Sequence, residues 1–342
     1  MNKKILFMTR GKGIIDLFWR EEGKKRAAQY GFQVDTPAAD GDILDFDFTP
    51  LLPQYDALIT SWGSPVCSSE LLQHAPNVRL IGHSAGSVAA VVNESTYDCN
   101  VHVTSANPVM AEAVAEWSLM MSLIAARDLW KYVQINATTP LRWGNPDRDL
   151  RDLTQLTCGI WGMGDTTKHL LRMLKPLRFK KIIVASNHSS AEELAKYGAE
   201  KASFEEVLAT SDLIHCLVGV NAENLFRIGK KELAMVKNGA TLLNCGRARL
   251  FQEEPLIEAL QEKRFTAILD VFHTEPLAED SPLRKLDNVI LTPHNAGYTG
   301  RALFVPFILD QFKQFFDTGK MDYDISKDRY LSQTNESLGF KK

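Results

Sequence analysis

Three segments of this 342-residue chain combine residue types that could move a proton beside a bound anion. They are Leu243-Asn244-Cys245-Gly246-Arg247, Asp270-Val271-Phe272 through Glu275-Pro276, and Leu291-Thr292-Pro293-His294. Each follows an apolar run that reads as a strand, and open α/β sheets place their sites at the carboxyl ends of strands. Arginine there is an anion clamp, glutamate a carboxylate, and histidine an imidazole that titrates near neutrality. Singly, each has a plainer reading: a surface cation, a loop charge before proline, a structural histidine. A fourth segment raises their weight. Gly159-Ile160-Trp161-Gly162-Met163-Gly164-Asp165-Thr166-Thr167 follows a strand and opens a helix. Read as GxGxxG, it supplies Gly162 for a tight turn and Gly164 for close approach of backbone N–H groups to a pyrophosphate. Thr167 stands third, where glycine would permit close helix–strand packing, so slightly looser packing is expected there.

A dinucleotide site of this kind usually ends its second strand on Asp or Glu, which accepts from the ribose 2′-hydroxyl. Here that strand ends in Ala185-Ser186-Asn187-His188-Ser189, without a carboxylate. Such an end tolerates a 2′-phosphate, and it is also compatible with plain ribose bound by Ser186 or Asn187. NAD and NADP therefore both stay open.

The elements that must position these residues alternate along the chain. Ile5–Met8, Ala57–Thr60 and Val78–Ile81 read as strands, with helices from about 14 to 30 and from 68 to 74. Asn107-Pro108 is a good helix start, and apolar residues then recur at Met110, Val114, Trp117, Met121 and Ile124. Leu119 and Leu123 lie on another face, so this helix is buried on more than one side. After a polar segment, Arg142 to Asp152, a second series begins. Strands are predicted at 156–161, 182–185, 213–217, 241–244, 267–270 and 289–292, enough for a complete doubly wound sheet. A last helix spans about 302–317, and the tail from Ser326 is polar.

Length bounds the answer to about two domains at roughly 150 residues each. With 45% apolar and 24% charged residues the chain is an ordinary globular one, and a net charge of −3 gives no reason to expect nucleic acid as a partner. Five cysteines, an odd number with no CxxC pair, argue against a disulfide framework or zinc site and for a reducing, cytoplasmic compartment. No metal site is expected. No stretch approaches the roughly 18 uncharged apolar residues of a spanning helix, so no membrane partner is expected either.

The ordered motifs are far more specific than the glycine turn. Asn107 to Glu116, Asn244-Cys245-Gly246-Arg247-Ala248, Asp270-Val271-Phe272 through Glu275-Pro276, and Ser281-Pro282-Leu283 through His294-Asn295-Ala296-Gly297 together resemble the D-isomer-specific 2-hydroxyacid dehydrogenase family. The resemblance runs from about Pro53 to Asn295. It implies two Rossmann-like doubly wound α/β domains, with a cofactor domain (106–298) inserted into a flavodoxin-like substrate-binding domain (1–105 and 299–342). It implies hydride transfer between NAD or NADP and a small 2-oxo or 2-hydroxy acid, glyoxylate-, hydroxypyruvate- or pyruvate-like. Arg247 would hold the substrate carboxylate, His294 would exchange the proton, and Glu275 would raise the imidazole's pKa. Met163 to Thr166, with Asp165 among them, would take the pyrophosphate, Val218 and Gly219 the adenine side, Cys245 and Gly246 the nicotinamide pocket, and Asp270 the nicotinamide end. Ala85, Gly86 and Ser87 stand where the family's substrate-binding loop lies. Ala89, however, stands where that loop commonly carries Asp, and the 215–219 segment lacks the usual His and Pro. The apolar helix after Pro108 would form a homodimer interface.

A second reading is a dinucleotide-binding sensor or corepressor-like protein with little or no turnover. Retention of Arg247, Glu275 and His294 favours chemistry. Turnover of 2-oxo acids, lost on His294→Ala, separates the two.

Overall fold

The computed structural model describes residues 2–9, 11–37, 46–138 and 151–332. Residues 142–150 of the polar segment and 333–342 of the tail lie outside them. The chain divides into two compact units, Met1–Ala111 with Tyr298–Lys342, and Glu112–Gly297.

The first unit is built on five parallel strands: β1 (Lys4–Met8), β2 (Gln33–Asp35), β3 (Ala57–Thr60), β4 (Leu80–His83) and β5 (His102–Ser105). Their order is β2-β1-β3-β4-β5, the flavodoxin-like order. Ile5 to Phe7, Ala57 to Ile59 and Leu80 to Ile81 are wholly buried, as continuous apolar strands covered on both faces must be. The helix Phe304–Thr318 lies against the sheet at Gly82, where a Cβ would come 2.3 Å from Ile308. Only glycine lets the helix approach that closely. β4 begins two residues later than the apolar run suggests, because Val78 is taken up in a turn closed on Ala75. The helix expected over 14–30 is two helices, Lys12–Phe18 and Glu21–Tyr30, separated where Trp19 and Arg20 leave helical backbone.

The second unit holds seven parallel strands: β6 (Thr157–Trp161), β7 (Lys181–Ala185), β8 (Glu200–Lys201), β9 (Leu213–Cys216), β10 (Thr241–Asn244), β11 (Thr266–Leu269) and β12 (Val289–Leu291). Their order, β12-β11-β10-β9-β6-β7-β8, reverses direction between β6 and β9. That reversal is the switch point of a doubly wound sheet, the place outside the carboxyl strand ends where such sheets bind their ligands. β8 was not among the expected strands; its two polar residues carry no apolar signal.

The helix Asn107–Ala126 passes from the first unit into the second. By length and composition it could cross a membrane, with a mean hydropathy of 1.4 over its most apolar window. Glu112 and Glu116 interrupt its apolar run without lowering the average much. Its buried hydroxyls show how it packs in the second unit. Ser122 lies 2.9 Å from His215 Nε2, and Ser118 lies 3.3 Å from Cys245 Sγ.

Candidate active site

The glycine turn joins β6 to the helix Asp165–Leu174 at the switch point. Gly162 has a φ of +107°, and a Cβ there would meet Val218 N at 2.7 Å. Gly164 is the helix N-cap and offers no side chain to the first-turn N–H groups. No atom lies within 4 Å of where its Cβ would be. Open space in front of uncapped amides at the positive end of a helix suits a phosphate group. The residues present therefore fit the pyrophosphate of a dinucleotide. Thr167 does not loosen the packing as expected. It is fully buried, and its hydroxyl donates to Gly162 O at 3.1 Å, tying the helix back to the turn that a third glycine would merely have allowed close.

The neighbouring turns complete that edge. Ser186 and Asn187 follow β7 directly, and Ser186 Oγ accepts from His188 N. Lys201 donates to Ser189 O at 2.9 Å, which brings a cation to this corner. After β9, Val218 abuts Gly162, and the carbonyl of Gly219 accepts from Asn224. Cys245 is a buried thiol whose pKa burial pushes up to about 12, so it is a neutral wall rather than a nucleophile.

Asn244, at the end of β10, folds the turn that presents Arg247. Its Oδ1 accepts from Gly246 N at 3.1 Å and its Nδ2 donates to Arg247 O at 3.1 Å. Gly246 passes so close to β9 that a Cβ would lie 2.7 Å from Cys216 O. The Arg247 guanidinium donates to Gly246 O at 2.8 Å.

Glu275 and His294 meet across these turns. His294 Nδ1 lies 2.6 Å from Glu275 Oε2, and Glu275 Oε1 accepts from Phe272 N at 2.9 Å. The pair is part-exposed, with 45% of the histidine side chain and 35% of the glutamate side chain accessible. Burial alone would push the Glu275 carboxyl up. Hydrogen bonds from His294 and Phe272, with the charge of Arg247, instead hold it below its ordinary value. The bond from Glu275 raises His294 above its ordinary value, against burial and the repulsion of Arg247. With Nδ1 engaged by Glu275, Nε2 is the nitrogen left to exchange a proton with a substrate. Asp270 is fully buried beside this pair, bonded to Thr292, Asn295 and Ala296.

The structure thus brings Arg247, Glu275, His294 and Asp270 to the same sheet edge as the glycine turn. Ala85, Gly86 and Ser87 belong to the first unit, directly after β4. Ala85 is buried, and Ser87 Oγ accepts from Ala89 N. Sequence reasoning missed Asn244, Phe272 and Thr292, which orient the reactive groups. Asn244 had a signal in its N-x-x-R spacing, whereas Phe272 acts through its backbone and had none. Among the described residues, no group of three or more His, Cys, Asp or Glu side chains could hold a metal ion.

The family described as "D-isomer specific 2-hydroxyacid dehydrogenase, NAD binding domain" matches residues 119–296. A glyoxylate reductase of Aeropyrum pernix is 32% identical over 243 residues, covering 67% of this chain and 70% of that protein. A D-3-phosphoglycerate dehydrogenase of Archaeoglobus fulgidus is 28% identical over 253 residues, 73% of this chain. This chain spans about half of that longer relative, 47%. A solved D-isomer-specific 2-hydroxyacid dehydrogenase of Xanthobacter autotrophicus, in complex with NADPH and MES, superposes with a TM-score of 0.75 at 22% identity. The match covers 96% of this chain and 99% of that one, and it shows a shared fold.

Proposed function

This chain belongs to the D-isomer-specific 2-hydroxyacid dehydrogenase family, a family of NAD(P)-dependent oxidoreductases, and from that premise we propose that it interconverts a small 2-oxo acid and its D-2-hydroxy acid. The observation that carries the proposal is the 2.6 Å Glu275–His294 pair beside Arg247, on the sheet edge that also bears the glycine turn. Glyoxylate and hydroxypyruvate are the first substrates to test, since relatives named for reducing them match over most of their length.

The bound dinucleotide supplies the hydride for reduction and takes it up in oxidation. The residues of the chain do the rest. Arg247 takes the substrate carboxylate as a charge-assisted pair. His294, whose imidazole pKa Glu275 raises above its ordinary value, gives its Nε2 proton to the 2-oxo oxygen, and accepts it in the reverse direction. The first-turn amides after Gly164 take the pyrophosphate. The lack of a carboxylate after β7, with Lys201 at that corner, supports use of NADPH as well as NADH.

We also assign the exposed apolar residues Met120, Leu123, Leu129, Trp130 and Val133 to a homodimer contact. Light scattering on wild-type protein and on Trp130→Asp tests it; a wild-type monomer sinks it.

The function is tested by following reduced-nicotinamide absorbance with NADH or NADPH and a panel of 2-oxo acids. Turnover that His294→Ala abolishes supports the enzyme. Tight dinucleotide binding without turnover of any acid would favour the sensor instead.

A further inference from the structure

One loop after β9 touches both segments that carry the reactive side chains. In it Phe226 has a φ of +53°, a left-handed backbone that a bulky residue with a Cβ rarely adopts. Glycine or asparagine would sit there without that penalty. Phe226 N donates to Arg249 O at 2.8 Å, and Phe226 O accepts from Gln252 Nε2 at 3.2 Å. Two residues on, Ile228 N donates to Leu250 O and Ile228 O accepts from Gln252 N, each at 2.9 Å. The loop is thus zipped to the helical turn Ala248–Leu250 that directly follows Arg247.

The Phe226 side chain faces the other segment. Its ring stacks on His273, with centroids 5.9 Å apart and planes 11° from parallel. His273 lies two residues before Glu275, in a stretch with little else to fix it. Val271 is buried, so the loosely held part begins beyond it. Among the described residues, the backbone from 271 to 276 makes one hydrogen bond, from Phe272 N to Glu275 Oε1, and that bond is internal to the stretch. His273 Nε2 is buried with no hydrogen-bond partner among them. A small cavity lined by Asn244, Phe251, Glu253, Phe272 and His273 leaves one side of the stretch without close packing. Ring contact is therefore what holds His273, and Phe226 supplies it. A strained backbone persists where its surroundings over-determine it, and strain collects at functional sites. Here two hydrogen bonds hold the Phe226 backbone, and the result is a flat ring laid against His273.

We infer that Phe226 is a positioning residue: its backbone is fixed to the turn that follows Arg247, its ring braces His273, and that brace keeps Glu275 on His294. The inference rests on the reading of His294 as the proton-exchanging group. It gives Phe226 no contact with the reacting atoms.

Phe226→Gly tests it, because glycine relieves the strained backbone while deleting the ring. Four quantities are read: melting temperature, kcat and KM for glyoxylate at saturating NADH, and the His294 imidazole titration by NMR, assigned with His294→Gln. The charged groups facing that imidazole are Glu275, Arg247 and Asp270. kcat should fall about tenfold, as a loosened catalytic pair costs, with KM within about threefold of wild type because the turn after Arg247 keeps its backbone ties. Melting temperature should move by no more than about 3 °C, relief of strain offsetting the lost contact. The His294 titration should shift to lower pH, since a less firmly held Glu275 raises it less. Phe226→Tyr, which keeps the ring, should restore kcat and the titration to near wild type. His273→Ala removes the other ring and should repeat the Phe226→Gly pattern, and the two changes together should cost little more than either alone. If Phe226→Gly fails to fold, His273→Ala carries the test against the same outcomes.

Two results would overturn the inference. One is a Phe226→Gly protein with kcat and the His294 titration both at wild-type values. The other is a His273→Ala effect on kcat that adds in full to that of Phe226→Gly, which would mean that the two rings act apart. A wild-type protein that turns over no 2-oxo acid would instead sink the proposed function, and the NMR titrations would still decide the role of Phe226.

Discussion

Both ends of the seven-stranded sheet carry hydrogen-bonded carboxylates, one buried and one part-exposed, and the two ends use them differently. At the amino-terminal edge, Asp212 precedes β9 and is 4% exposed. One oxygen takes Arg151 and Lys237, each at 2.6 Å, and the other takes Thr157 N at 2.8 Å. Burial would push its carboxyl up, but these partners hold it below the ordinary carboxylate range. It joins the starts of β6 and β9 and uses its bonding capacity internally. At the carboxyl edge, Glu275 is anchored by one backbone N–H and spends its other oxygen on a histidine that is itself half-exposed. The difference lies in what remains. Asp212 spends both oxygens on internal partners, whereas the Glu275–His294 pair fixes orientation and leaves one nitrogen to act.

The comparison breaks or holds first at His294. His294→Ala should lower kcat by about 10²–10⁴-fold, the usual worth of a general acid–base group. Melting temperature should change little, because a part-exposed ion pair contributes about 0–1 kcal/mol. A large loss of stability with retained turnover would show that this edge is structural too.

Asp212→Asn should do the reverse. Removing one partner from a largely buried charge cluster costs about 3–5 kcal/mol, and here somewhat less because Arg151 and Lys237 can regain water. Urea unfolding at neutral pH should show that loss, while kcat well below the melting temperature stays at the wild-type level. The pH sign follows from the lowered folded-state value. The stabilisation from Asp212 is present above its unfolded pKa, about 3.9, and is lost as pH falls through the folded value. Wild-type protein should therefore lose more stability in acid than the variant does.

Glu275→Gln sharpens the other side. It should lower kcat for 2-oxo acid reduction by about tenfold, the cost of a weakened orienting bond. It should also move the alkaline limb of the pH–rate profile to lower pH. Reduction needs the protonated imidazole, and Glu275 is what raises its pKa. An unshifted limb would mean that another group sets it. The stability sign is opposite to that of Asp212: the contribution of His294 is present below its unfolded pKa, about 6.5, and lost as pH rises through the folded value.

The sequence announces these two edges unequally. Strands buried on both faces, such as Ile182–Ala185 and Leu242–Asn244, stand out as apolar runs. β2 and β5, with Gln33, Asp35, His102 and Thr104, do not, because short edge strands need no continuous apolar signal. At the carboxyl edge Arg247, Glu275 and His294 are legible because their side chains are the chemistry and the motif fixes their order. The groups that aim them act through amides and hydroxyls that any loop contains. The positive φ of His294 is likewise invisible, since nothing about histidine itself requests it. The Asp212 clasp gathers residues from 151 to 237 that share no motif, so only the fold shows it.

Thr167 tests whether location or bonding defines the difference between the edges. It sits at the carboxyl edge, inside the glycine turn, yet it is fully buried, and its hydroxyl closes a bond on Gly162 O as Asp212 closes bonds at the opposite edge. If bonding is what matters, Thr167 should behave as a structural residue despite its address. Thr167→Val keeps the shape and leaves the Gly162 carbonyl without that donor, at a cost of about 1 kcal/mol in unfolding free energy. kcat at saturating NADH should be unchanged, because no proton-exchanging group depends on the hydroxyl. KM for NADH should rise slightly as the turn under the pyrophosphate gains freedom. A fall in kcat with stability intact would place Thr167 among the groups that orient the reaction, and the contrast would then be one of position in the sheet rather than of how completely each group is bonded.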